Sequence, residues 1–250
     1  MTSAWDRRIA RAEELARRST TAAELLNLYA RMAALQRSVF EGVSRTRETD
    51  PARLARYFPK LVALVDRNGA AVAAEFAREH AQSDANREAL LLTHWSDPSL
   101  PYDSGRFLAR VLLQPFAESL AGRGKATPDS SSAVCPFCGA HPVAAVLRGE
   151  GDGAKRSLLC SLCATEWEYR RILCPACGEE NKDRLPIYVA DEFDYVRVDA
   201  CDTCRTYIKS IDLTKNGLAV PVVDELASVP LNIWAEEQGY AKIEPNLLGL

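Results

Sequence analysis

Residues 135–178 read CPFCGAHPVAAVLRGEGDGAKRSLLCSLCATEWEYRRILCPACG, and the pattern closes with CDTC at 201–204. Every cysteine of the chain lies in this stretch, in four C-x-x-C pairs: Cys135/Cys138, Cys160/Cys163, Cys174/Cys177 and Cys201/Cys204. The first two pairs are 21 residues apart, the last two 23, and 10 residues join the halves, so one unit is written twice. A C-x-x-C turn points both sulfurs to one side, and a hairpin-sized gap followed by a second turn brings four thiolates to one point. The spacing therefore predicts two tandem zinc-ribbon modules. Pro136 and Pro175 fix φ inside the first turn of each unit, and Gly139 and Gly178 follow the second sulfur, where a left-handed residue reverses the chain. CSLC and CDTC lack both residues, so the repeat runs first knuckle to first and second to second. That pairs Cys135, Cys138, Cys160 and Cys163 on one metal ion, and Cys174, Cys177, Cys201 and Cys204 on the other. An all-sulfur tetrahedron suits structural zinc and a single rubredoxin-like iron equally well.

Competing chemistries for the same cysteines are weaker. Four disulfides would need an oxidising compartment, and the charged N-terminus MTSAWDRRIARAEELARR is not an export signal. A thioredoxin-type C-x-x-C needs a βαβ setting that is not visible, and an iron–sulfur cluster would not explain two matched four-cysteine units.

A hydrophobic fraction of 47% with 26% charged residues fits a globular chain. The net charge of −3 runs against a nucleic-acid surface, and residues 133–210 carry 12 acidic against 10 basic side chains before any thiolate is counted. The apolar runs, such as Leu61–Val65, are far too short to span a membrane. A cytoplasmic location is expected.

Residues 1–121 read as an all-helical domain. Ser3 caps a helix to about Arg18, and Thr21 with Glu24 has capping-box spacing ahead of an apolar face of Leu25, Leu28, Tyr29, Met32, Leu35 and Val39. Asp50–Pro51 opens the next helix and Pro59 breaks or restarts it; Asn68–Gly69 separates a helix over Ala70–His80. Ser83 starts another through Trp95, and Ser104 to about Leu120 is the last, with Pro115 predicting a kink. Residues 122–134 form a linker. The modules follow at 135–173 and 174–215, with hairpin arms at Pro142–Leu147, Arg156–Leu159, Leu185–Ala190 and Tyr195–Val198, a connecting strand from Trp167 to Leu173 and an exit strand at Thr206–Leu213. Trp167, Tyr169, Tyr188, Tyr195 and Tyr207 supply their packing. Residues 216–250 hold a helix from an N-cap at Asp224 to Gly239, bent at Pro230. Leu226, Val229, Ile233 and Trp234 should face inward, with Glu225, Asn232, Glu236 and Glu237 outward. The fold class is α+β. His141, three residues past Cys138, reads as a neighbour of the first metal and not a ligand. His94 reads as a partner of a helix C-terminus. No catalytic constellation is visible.

With those flanks in view, the chain resembles the FdhE family of formate dehydrogenase accessory proteins. The resemblance lies in CPFCGAHPVAAVL (135–147), LLCSLCATEWEYRRILCPACG (158–178), ACDTCRTYIKSIDL (200–213) and VDELASVPLNIWAEEQGYAKIEPNLLG (223–249). It implies a bacterial cytoplasmic factor that assists maturation of molybdenum- or tungsten-dependent formate dehydrogenases and contacts their catalytic subunit. It also implies that all eight cysteines are ligands to zinc or iron, and it carries no catalytic residue. Two alternatives remain beside it: a redox-active iron protein acting on the client's active-site cysteine or selenocysteine, and a nucleic-acid-binding zinc ribbon.

Overall fold

The computed structural model describes residues 3–67, 78, 83–124, 131–151 and 153–250. The Asn68–Gly69 break, the helix expected over Ala70–His80 (His80 with it), residues 125–130 of the linker and Asp152 in the first hairpin turn lie outside the described residues.

The chain begins with helices. α1 (Ala4–Arg18) starts on a reciprocal capping box: Ser3 Oγ accepts from the Asp6 N–H while Asp6 accepts from the Ser3 N–H. α2 (Ala23–Thr46) begins differently from the expected Thr21–Glu24 box. Its N-cap is Ala22, so the helix has no side-chain cap bond; the Ala22 N–H donates to Ser19 Oγ at 2.8 Å in the turn before it. Tyr29, Met32, Leu35 and Val39 are buried on its inner face, while Leu25 and Leu28 are half-buried. Asp50 caps as expected, accepting from the Ala52 N–H, but Pro51–Tyr57 is a 3₁₀ turn and the α-helix restarts at Pro59's turn as α3 (Phe58–Arg67). α4 (Asp84–Ser96) is capped by Ser83, and α5 (Ser104–Ala121), with Pro115 inside it, is capped by Asp103. No described helix is long and apolar enough to cross a membrane.

The strands are β1 (Pro142–Glu150), β2 (Gly153–Cys160), β3 (Glu166–Glu168), β4 (Ile187–Val189), β5 (Val196–Cys201), β6 (Thr206–Asp212) and β7 (Ala241–Lys242). The first hairpin is longer than its apolar pattern suggested, and the connecting strand is only β3. Both repeats belong to one sheet, in the order β3-β2-β1-β6-β5-β4. The seam is a parallel pairing of β1 with β6, register Ala145↔Ser210 to Leu147↔Asp212. β7 runs parallel to the other half of β6, Thr206↔Ala241 and Tyr207↔Lys242.

The C-terminal helical region departs from the expected single bent helix. It is two helices, α6 (Pro221–Ala227) and α7 (Val229–Glu237), with the break at Ser228 and Pro230 in the first turn of the second. Asp224 is not an N-cap: it lies inside α6 and reaches back to accept from the Val220 N–H at 2.6 Å. The facing is also corrected. Ile233 is 55% exposed, whereas Glu225 and Asn232 are buried.

Those buried polar groups tie the molecule together. The Arg11 guanidinium of α1 donates to the fully enclosed Asp224 carboxylate at 2.6 Å, and Tyr195 Oη donates to the same oxygen at 2.8 Å. Glu225 accepts from Lys209 of β6, Lys242 of β7 and Asn246. Burial alone would raise the Glu225 carboxyl, but the two ammonium groups outweigh it and hold it down to about 2. Burial pulls Lys209 down to about 8 against the attraction of Glu225, which leaves it charged at neutral pH. Near the C-terminus, Glu244 is gripped by Arg106 at 2.7 Å and Arg110 at 2.6 Å, both from α5. The main hydrophobic core runs without a break from Trp5, Leu26 and Phe116 of the helices to Leu158, Trp167 and Ile208 of the sheet.

Candidate metal centres

The first C-x-x-C turn of each unit is closed by the same two backbone bonds, and each second turn has one of them. The Gly139 N–H donates to the Cys135 carbonyl and the Cys135 N–H to the Ala140 carbonyl, both at 2.9 Å; Gly178, Cys174 and Glu179 repeat this in the second unit. The Cys160 N–H likewise donates to the Thr165 carbonyl, and the Arg205 N–H to the Cys201 carbonyl. All four turns then reverse through a left-handed residue directly after the second cysteine: Gly139 (φ 73°), Ala164 (φ 52°), Gly178 (φ 77°) and Arg205 (φ 58°). The second knuckles thus use the backbone of the first without its glycine, at a cost of about 1–2 kcal/mol each.

The folding of each unit brings its four sulfurs together. The Sγ atoms of Cys135, Cys138, Cys160 and Cys163 all lie within 4.8 Å of one another, as do those of Cys174, Cys177, Cys201 and Cys204. Measured edges are 3.4 Å (Cys138–Cys160) and 3.5 Å (Cys135–Cys163, Cys138–Cys163) in the first group. They are 3.7 Å (Cys174–Cys204, Cys177–Cys201) in the second. A tetrahedron with metal–sulfur bonds of about 2.3 Å has edges of about 3.8 Å, so both groups fit a four-coordinate cation. All eight are free thiols rather than disulfides.

The surroundings suit negative sulfur. Amide N–H groups of Phe137, Leu162, Cys163 and Ala176 point at Cys135, Cys160, Cys160 and Cys174 from 3.3–3.4 Å. Thr165 Oγ1 sits 3.0 Å from Cys163 Sγ, and Thr206 Oγ1 3.0 Å from Cys204 Sγ, again at equivalent positions. Burial, and then contact with its three companions, pushes the Cys160 thiol well up. Four such sulfurs at this separation are stable as thiolates only around a cation. Among the described residues, no other group of three or more His, Cys, Asp or Glu side chains is gathered this way.

The two centres differ in setting. Cys135, Cys160 and Cys163 are buried in the core shared with the helices, whereas Cys177 is exposed and Cys204 half-buried. His141 is half-buried, and its carbonyl accepts from the Ser161 N–H; its Nδ1 is enclosed without a partner. His94 lies in the last turn of α4, where burial lowers its pKa. Trp167, Tyr169 and Tyr207 are buried in the sheet's packing, with Tyr188 and Tyr195 half-buried. The buried charges Arg11, Lys209, Asp224, Glu225 and Glu244 are what cysteine spacing could not reveal. Three of them lie in the C-terminal segment that carries the family resemblance.

Comparison with known proteins agrees with this architecture. Residues 134–171 match the family model "FdhE, central domain" and residues 172–248 match "FdhE, C-terminal domain". "Protein FdhE homolog" of Aquifex aeolicus is 36% identical over 205 residues, covering 81% of this chain and 72% of that protein. The homolog of Pseudomonas aeruginosa is 33% identical over 186 residues, covering 70% and 59%. The crystal structure of the FdhE protein from Pseudomonas aeruginosa superposes over 99% of this chain and 96% of its own, with a TM-score of 0.72 and 26% identity. The shared sequence, the paired four-cysteine units and the shared fold together place this chain in the FdhE family.

Proposed function

We propose that this protein is a non-catalytic assembly factor that binds the catalytic subunit of a molybdenum- or tungsten-dependent formate dehydrogenase in the cytoplasm and supports its maturation. Cys135, Cys138, Cys160 and Cys163 hold one metal ion and Cys174, Cys177, Cys201 and Cys204 the other, each zinc or iron. The bound ions supply cross-links that small ribbons need in order to fold. In this reading residues 1–121 form a helical platform, 135–173 and 174–215 the two metal units, and 216–250 the strap across them. One observation carries it: the eight cysteines form two self-complete sets of four, leaving no thiol over for chemistry. Membership of the FdhE family supports a formate dehydrogenase as the client. Co-purification of the tagged chain with a formate dehydrogenase catalytic subunit tests the reading. Absence of binding, together with full dehydrogenase activity in a strain lacking the gene, would refute it.

A second reading gives the second centre a redox role with iron, because Cys177 is exposed. Anaerobically purified protein that contains only zinc, with thiols inert to mild oxidant, removes it. The excess of acidic residues around the ribbons speaks against nucleic acid.

A further inference from the structure

A cavity of about 280 Å³ opens beside the second centre, with Cys174 and Cys201 among its lining residues. It lies between the loop that enters the second unit and strands β4–β6. Ile172, Leu173, Leu185, Ile187 and Ile243 are its aliphatic lining, and Ile172 and Ile187 are half exposed at 50% and 54%. Arg156, Arg171, Lys182 and Arg197 are its cations, with Asp199 as the acid among the lining residues.

The cations divide by depth. Arg156 is 3% exposed; its guanidinium donates to the carbonyls of Arg170 and Leu173 and stands 3.6 Å from Asp199. Arg197 stands 2.8 Å from the same carboxylate. Two buried or half-buried guanidiniums thus share one acid, which leaves a deep charge of +1. Arg156 Nε is enclosed there without a hydrogen-bond partner. At the rim, Arg171 donates to the Ala154 carbonyl, and among the described residues no carboxylate pairs with Arg171 or Lys182. Nor does any hydrogen bond from Arg156 or Arg197 reach a sulfur among those residues, so the guanidiniums are not tied up as N–H donors to the thiolates.

We propose that this cavity binds a carboxylate carried on a short aliphatic body. The deep charge of +1 is neutralised by a monoanion. The four-thiolate centre next door, carrying about −2, repels any anion, and a dianion such as phosphate twice as strongly as a monoanion. Planar guanidiniums match the carboxylate fork, and the volume and aliphatic lining suit a chain of a few carbons. The carboxylate belongs either to a free organic acid or to the end of a polypeptide. The inference is independent of the assembly role.

The test is titration of the metal-loaded full chain, labelled with ¹⁵N, with 4-methylpentanoate and with acetyl-Gly-Gly-Leu. Each is compared with its own carboxamide and with inorganic phosphate. At least one of the two acids is expected to saturate with a dissociation constant of the order of 1 mM. It should shift the amides of Ile172, Ile187 and Ala200, and bind at least tenfold more tightly than its carboxamide and than phosphate. Saturation by the free acid alone assigns a small-molecule ligand, and by the peptide alone a polypeptide terminus. The double variant Arg171→Ala/Lys182→Ala, whose changes lie at the rim, should weaken the acid at least fivefold at unchanged metal content and helicity. Failure of both acids to saturate overturns the proposal. Equal binding of acid and carboxamide, tighter binding of phosphate, or unchanged affinity in the double variant does the same; cations that serve only to balance the thiolates would give these results.

Discussion

The two sulfur centres share a sequence pattern, a turn geometry and a threonine neighbour, yet they sit in different solvents. The first is walled by the core that also fills the helical block, with Cys135, Cys160 and Cys163 each at most 3% exposed. The second has Cys177 in water and a cavity against Cys174 and Cys201. A repeat written twice in sequence therefore need not do the same job twice. Tertiary packing makes one centre a keystone between helices and sheet and leaves the other accessible.

The largest effect expected from this contrast is on folding. Cys160→Ser removes a ligand inside the common core, where a structural metal contributes roughly 10 kcal/mol or more. Helices and sheet should lose cooperative thermal unfolding together. Cys177→Ser, at the rim of the other centre, should cost one metal equivalent by elemental analysis while the helical circular dichroism persists. Equal damage from both would erase the distinction.

The next effect probes how the halves are tied. Glu244→Ala leaves Arg106 and Arg110 buried without their shared carboxylate and should cost about 3–5 kcal/mol in denaturant unfolding. A loss below about 1 kcal/mol would mean that the apolar core alone unites the two layers.

Smaller still are the turn residues. A Cβ at Gly178 meets nothing within 4 Å, so Gly178→Ala should cost only the left-handed backbone penalty of about 1–2 kcal/mol. Ala164→Gly in the first unit should return about 1 kcal/mol. Arg205→Gly should gain less, because Arg205 also stacks 3.9 Å from the Tyr240 ring centroid and bonds the Gln238 carbonyl. Melting temperatures of the three variants rank these directly. Least of all, His141→Ala should leave both metal equivalents in place; loss of one would add histidine to the first centre.

The sulfur groupings and most helix starts were legible because their causes are local. Spacing within a turn, Ser3 and Ser83 as caps, and Pro59 restarting a helix all act over a few residues. Thr21 misled because α2 starts from Ala22, one residue later, with no side-chain cap bond. The β1–β6 seam left no mark, since parallel neighbours far apart in the chain need no turn between them. The C-terminal helices were misread for a different reason. Helical periodicity assigns polar residues to water, but Glu225 and Asn232 face the interior, and Glu225 finds Lys209 and Lys242 there. Nothing in the spacing of a carboxylate announces that its counter-ions lie on two distant strands.

The pairing of Glu244 with Arg106 and Arg110 has a consequence for biosynthesis. The two buried cations of α5 stay uncompensated until residue 244 has left the ribosome, and β6 gains its second parallel neighbour, β7, only just before then. The helical block emerges first, but the buried ion pairs that tie it to the C-terminal segment close only after all eight cysteines have been made.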